Sequence, residues 1–114
     1  MSLLTDVQRV RMLDNGAARV RGEGRDPSPV VKIYTPDFRA VWLLTELDPL
    51  DGDTAYGLCD AGIGWPELSA VSIRYLESMK GPRGYSLACD SSFEAKFALS
   101  EYLSAARARG TAME

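Results

Sequence analysis

The chain has 114 residues, 46% of them hydrophobic and 25% charged, with a formal net charge of −3. This is enough for one water-soluble domain with its own hydrophobic core, and the acidic balance supplies no overall basic footprint for nucleic acid. The chain contains no histidine, which removes Ser-His and Cys-His catalysis, histidine acid–base work and His-based metal sites.

Thr5-Asp6-Val7-Gln8 has the capping-box pattern, a Thr N-cap with Gln three residues on. Leu3 or Leu4, Val7, Val10 and Leu13 follow helical spacing, and Gly16 after Asn15 reads as a stop. This predicts an amphipathic helix over residues 5–15, docked on its own domain by that apolar stripe. Residues 17–29 are polar, contain Gly22, Gly24, Pro27 and Pro29, and read as a loop.

Val30 to Thr35 is a β-branched run closed by Pro36-Asp37, a strand and a turn. Residues 41–47 predict a second strand, with Trp42, Leu44 and Glu46 on one side and Leu43, Thr45 and Leu47 on the other. Asp48-Pro49-Leu50-Asp51-Gly52-Asp53 is a turn, and residues 55–60 complete a hairpin. Residues 61–66 form a Gly-rich connection, residues 68–72 a fourth strand, and residues 73–80 a short helix closed by Gly81-Pro82. Residues 85–89 predict a fifth strand.

The last segment has two readings. Ser91 and Glu94 fit a capping box starting a helix near Ser92; a strand through Phe93 with the helix starting nearer Leu99 is the other. Both place Leu99, Tyr102, Leu103 and Ala106 on one stripe, end at Gly110 and leave residues 111–114 frayed. The order α-β-β-β-β-α-β-α predicts a single α+β domain over residues 1–114. It has an antiparallel-rich sheet with helices on one face, and its core spans residues 30–110.

No apolar run is long enough to span a bilayer, and the first ten residues carry no secretory pattern. The expectation is a cytoplasmic protein with no cofactor and no membrane association. Cys59 and Cys89 read as buried, reduced thiols, since two cysteines make neither a disulfide framework nor a zinc site of standard spacing.

The densest stretch is residues 42–67, WLLTELDPLDGDTAYGLCDAGIGWPE, which holds both tryptophans. Residues 40–73 contain no Lys or Arg but six carboxylates: Glu46, Asp48, Asp51, Asp53, Asp60 and Glu67. The remaining ten acids and thirteen bases leave +3, so the chain divides into −6 and +3.

Three readings follow. First, the six acids with Trp65 form an acidic interaction surface for a protein partner with a basic face. Second, Glu46, Asp48 and Asp60 converge as ligands for a divalent cation or as an acid–base pair acting on a phosphate-containing substrate; DPLDGD lacks the calcium-loop spacing. Third, Arg19, Arg21, Arg25 and Lys32 contact nucleic acid, against the net charge. The structural alternative is that the acids cap turns and flank strands. Gly62-Ile63-Gly64 lacks the remaining residues of a phosphate loop.

Residues 31–107 also resemble a family of small bacterial proteins catalogued only as a domain of unknown function, found on plasmids, integrative elements and phages. The match rests on LLTELDP at 43–49, AYGLCD at 55–60, GIGWPEL at 62–68 and VSI at 71–73. Thr5-Asp6, Gln8-Arg9 and Asn15-Gly16 look like that family's opening helix. The family has Phe where this chain has Tyr56 and Trp65, and a Gly near Ser69. The resemblance implies one compact domain in a mobile-element setting, with an anti-defence or conjugation-related role as context. It brings no established activity, so no catalytic residue is carried over.

Overall fold

A computed structural model of the chain describes residues 2–62 and 64–110. Ile63 of the Gly-rich connection and the tail 111–114 lie outside the described residues. The elements are α1 (Asp6–Val20), β1 (Val31–Tyr34), β2 (Val41–Leu47), β3 (Thr54–Asp60), β4 (Glu67–Ser72), α2 (Ile73–Ser78), β5 (Ala88–Cys89) and α3 (Leu99–Arg109). The five strands form one antiparallel sheet in the order β4-β3-β2-β1-β5. The chain is a single α+β domain.

The expectation of helices on one face is corrected. Met12 of α1 and Ile73 and Leu76 of α2 pack with Ile33, Trp42, Leu44 and Leu47 on one face. Leu99, Tyr102 and Ala106 of α3 pack with Val41, Leu43 and Leu58 on the other. The continuous apolar run of β2 is the reason: a strand buried on both faces needs cover on both.

The first helix is capped as expected: Gln8 N–H donates to Thr5 Oγ1 at 3.1 Å, and Thr5 N–H donates to Gln8 Oε1 at 2.8 Å. It does not stop at Gly16 but continues to Val20. Gly16 is buried because α1 touches β2 there; a Cβ on it would lie 1.9 Å from the Leu47 carbonyl oxygen. Asn15 Nδ2 donates to the Thr45 carbonyl at 2.8 Å. Asn15-Gly16 is therefore the docking point of the helix rather than its end. The stripe expected to dock holds in part: Leu4 is buried and Leu3 and Leu13 pack against the core, whereas Val7 and Val10 are 69% and 65% exposed and Met12, Gly16 and Ala18 are buried instead.

The pairing of β2 with β3 shifts between Leu44 and Glu46, a β-bulge at Thr45. One extra residue reverses the alternation beyond it. Leu47 thus joins Trp42 and Leu44 in the α1-side core, and Glu46 turns to the α3 side with Tyr56. The later elements are shorter than expected: α2 ends at Ser78 and β5 has two residues. Of the two C-terminal readings, the helix start at Leu99 holds, with Ala98 as an N-cap that makes no side-chain hydrogen bond, but the strand expected through Phe93 is not formed. Among the described residues, no helix is long and apolar enough to cross a membrane.

Candidate functional site

The six central carboxylates lie in three places. In the β2–β3 turn, Asp48 Oδ1 accepts from Leu50 N–H at 2.9 Å. Asp51 accepts from the N–H groups of Asp53 and Thr54 and from the Thr54 hydroxyl at 2.7–2.9 Å. These donors stabilise the ionised form and hold the Asp51 carboxyl below its ordinary range. Asp53 spans to α2: Oδ2 accepts from Ser72 Oγ at 2.5 Å and Oδ1 from Arg74 N–H at 2.9 Å. Its pKa is also lowered, first by the Ser72 hydroxyl and then by the Arg74 amide. Arg9 Nη1 donates to the Gly52 carbonyl at 2.7 Å. A turn with three aspartates is closed and tied to both α1 and α2.

The second place is a cleft of about 450 Å³ where the residue 22–27 loop passes the α3 face of the sheet. Glu46 lies on its floor, paired with Arg19 at 3.1 Å, and the Arg19 guanidinium lies 4.5 Å from the Tyr56 ring centroid. The Glu46 hydrogen bond and charge raise the Arg19 pKa further. On the rim, Glu23 bridges Arg21 and Arg25, each at 2.6 Å, and the two arginines lower its pKa. Asp26 accepts from the N–H and hydroxyl of Ser100 and holds the start of α3. The volume is that of a small-molecule site, but Arg19, Arg21 and Arg25 are already paired with acids of the same chain. The expected phosphate grip is corrected accordingly: Arg21 and Arg25 are held by Glu23 within the loop itself, and Arg19 ties α1 to Glu46 of β2. Arg19 lies on α1, not in a loop.

The third place is the opposite end of the sheet. Asp60 is 1% exposed, and its Oδ1 accepts from Gly62 N–H at 2.8 Å, closing the turn after β3. Glu67 is exposed at the start of β4. Burial and, less strongly, the Glu67 charge raise the thiol of the neighbouring, half-buried Cys59 to about 11, so Cys59 is an inert thiol at neutral pH. Cys89 is also raised, mainly by burial.

The register sets Glu46 opposite Tyr56 and Asp60 opposite Val41. The two carboxylates are therefore four residues of β3 apart, about 13 Å. With Asp48 beyond the bulge, Glu46, Asp48 and Asp60 do not converge. Among the described residues, no three His, Cys, Asp or Glu side chains are placed to hold a metal ion. Asp48, Asp51 and Asp53 share the β2–β3 turn, while Asp60 and Glu67 lie at the other end of the strands.

What this third place does bring together is aromatic. The β1–β2 turn carries Phe38, 45% exposed, whose ring lies against Gly62 of the β3–β4 connection. That connection carries Trp65, 74% exposed. Asp37 Oδ2 accepts from Arg83 N–H at 2.7 Å, and Gly81 N–H donates to the Tyr85 carbonyl at 2.9 Å. The α2–β5 loop is thereby fixed beside Phe38, with Tyr85 60% exposed.

A family model described as "Protein of unknown function (DUF2958)" matches residues 3–113. The chain belongs to this family. No curated protein and no solved structure matches it. The DUF2958 match covers nearly the whole chain, in agreement with the resemblance carried by the LLTELDP, AYGLCD and GIGWPEL segments. In this DUF2958 domain those segments are β2 with its bulge, β3, and the connection that carries Trp65. Sequence reasoning singled out Trp65 but missed Phe38, Arg39 and Tyr85. A lone aromatic in a turn leaves no periodic signal; the only hint was two large side chains following Pro36-Asp37.

Proposed function

We propose that this domain is a protein-binding module whose contact surface is the loop end formed by Phe38, Trp65 and Tyr85. The observation that carries the reading is the exposure of these three rings, 45%, 74% and 60%, on loops tied to one another. Exposed aromatics with nearby arginines, here Arg39 and Arg83, are the side chains that anchor protein interfaces. Loops held by a rigid sheet are where binding residues concentrate. The acidic surface expected for a basic partner has only Glu67 exposed at this end, so apolar anchoring takes the larger share. A mobile-element setting, with an anti-defence or conjugation-related role, belongs to the same proposal and rests on the family resemblance.

The test is capture of partners from the host, with wild type compared to Trp65→Ala and Phe38→Ala. Loss of the same partner in both variants, with circular dichroism unchanged, is expected. Partners retained in both variants and lost in Glu46→Gln with Asp48→Asn move the surface back to the acids.

One observation favours a second reading, contact with nucleic acid. A hollow of about 160 Å³ beside Phe38 is lined by Lys32, Arg39 and Tyr34, with Asp90 its one carboxylate. Cations interleaved with rings suit phosphates and stacked bases. Binding of single-stranded DNA at low salt that weakens in Lys32→Ala and Arg39→Ala supports it, and no binding at low salt removes it.

A further inference from the structure

We propose that β4 is the edge through which two copies of this chain pair, antiparallel about a twofold axis at Ala70, joining their sheets into one. The sheet has two edges, β4 and β5. The β5 edge is two residues long; β4 has six and is paired with β3 over an unbroken register. Edge strands of natural proteins are normally protected by Lys, Pro, a bulge or a covering element. In β4, ELSAVS, there is no Lys, no Pro and no bulge, and the one charge is Glu67.

The ladder shows which backbone groups are available. Ile73 N–H donates to the Asp53 carbonyl at 2.9 Å, continuing the register that pairs Thr54 with Ser72. In an antiparallel ladder, groups facing the partner strand alternate with groups facing away. Glu67, Ser69 and Val71 therefore face β3, while the N–H groups of Leu68, Ala70 and Ser72 face outward. Among the described residues, no backbone hydrogen bond from outside β4 reaches Leu68 or Ala70. The Ala70 carbonyl receives only the hydroxyl of its neighbour Ser69, at 3.4 Å. The chain then turns inward, since Ile73 and Leu76 of α2 enter the α1-side core. Among the described residues, no other strand hydrogen-bonds along this edge.

The occupant follows from self-complementarity. An isologous contact places one surface on its own copy, and an antiparallel pair is the arrangement in which a strand can meet itself. With Ala70 opposite Ala70, Leu68 meets Ser72, Ser69 meets Val71, and Glu67 meets Ile73. No bulky pair and no like-charge pair is opposed, and the two Glu67 carboxylates sit at opposite ends of the seam. Up to about four backbone hydrogen bonds close between the copies, two at Ala70 and two from Ser72 N–H to the Leu68 carbonyl, since the Ser72 carbonyl is engaged as the N-cap of α2.

The experiment is sedimentation velocity with light scattering on the full chain. The expected mass is about twice the 12.5 kDa of the monomer, with a concentration-dependent return to monomer on dilution. Ala70→Lys and Ala70→Glu each oppose two like charges at the axis and weaken dimerisation on the order of tenfold. An equimolar mixture of the two variants recovers the dimer, which a merely misfolded variant does not. A wild type that stays at monomer mass up to its solubility limit overturns the proposal. So does a dimer that both variants leave unchanged, a mixture that does not re-form it, or a monomer that takes up an unrelated extended peptide along β4.

Discussion

Replacing Gly16 by alanine decides between two physical accounts of the same residue. If Gly16 were an ordinary position within α1, alanine would stabilise the helix by about 1 kcal/mol, because glycine pays the larger backbone entropy. The geometry gives the opposite sign. The new Cβ would lie 1.9 Å from the Leu47 carbonyl oxygen, 3.0 Å from its carbon and 3.3 Å from Pro49 Cδ. A carbon and an oxygen in contact stay about 3.3 Å apart, so α1 must retreat from β2 by more than an ångström. Overpacking of this kind costs about 1–3 kcal/mol. The retreat also stretches the 2.8 Å bond from Asn15 to the Thr45 carbonyl, and leaving that carbonyl unsatisfied costs about 1–3 kcal/mol more. Set against the helix gain, the net is a destabilisation of about 1–5 kcal/mol.

Urea and thermal unfolding followed by far-ultraviolet circular dichroism measure it, with a Tm drop of about 4 °C or more per kcal/mol expected for a domain of this size. Asn15→Ala by itself is expected to cost about 1 kcal/mol. The double variant is expected to cost less than the sum, because the retreat already breaks the Asn15 bond. A Tm that rises in Gly16→Ala, or two effects that add, refutes the docking role of Asn15-Gly16.

Three further outcomes are expected. In Gly81→Ala the new Cβ would fall 1.7 Å from Asp37 Oδ1; the carboxylate must turn away from Arg83 N–H, at a cost of about 1 kcal/mol, and faster hydrogen exchange at the Arg83 amide reads the loosened loop. Cys59, with its thiol at about 11, stays unmodified by iodoacetamide at pH 8 and reacts only in strongly alkaline solution, whereas rapid labelling of the folded protein at pH 8 contradicts its burial. Asp51 and Asp53 have folded pKa values below their ordinary ones, so their contribution is present above about pH 4 and is lost as pH falls through the lower folded values. Asp53→Asn therefore lowers stability at pH 7 and flattens the acid limb of a Tm-against-pH curve; a curve parallel to wild type contradicts the tie between the turn and α2.

Strand positions were legible where local chemistry and burial agree. The bounds of β2 follow from its apolar run and the Asp48–Asp53 turn, and the carboxylates of that turn do what short acidic side chains do in turns. The bulge at Thr45 was not legible, because a strand apolar on both sides keeps its pattern when one residue is inserted. Asn15-Gly16 carries the same local signature whether it ends a helix or seats one against a strand, and only the approach of Leu47 separates the two. The misplaced part of the α1 stripe has a related cause. Periodicity selected Val7 and Val10 by hydropathy, whereas the seat of the helix is set by how closely its backbone can approach β2, which Gly16 permits, and Met12 fills the core. The acidic block looked like a site because charge is conspicuous in a sequence. Its members fall at both ends of the hairpin, and Asp48, Asp51, Asp53 and Asp60 accept from nearby backbone or hydroxyl donors while Glu46 pairs with Arg19.

The two proposed surfaces constrain each other. The loop end with Phe38, Trp65 and Tyr85 closes one end of the strands, and the β4 edge runs along their side. A twofold axis perpendicular to β4 reverses the strand direction of the second copy, so the two loop ends point in opposite directions. A dimer of this geometry cannot set both loop ends on one flat partner surface, and linking them brings no avidity toward a single molecule. It presents two separate, equivalent sites and joins two partner molecules at opposite ends of a continuous sheet. Pairing through β4 thus makes the domain a connector with a stoichiometry of two to two. Without that pairing, it is a one-to-one ligand held by its aromatic loops.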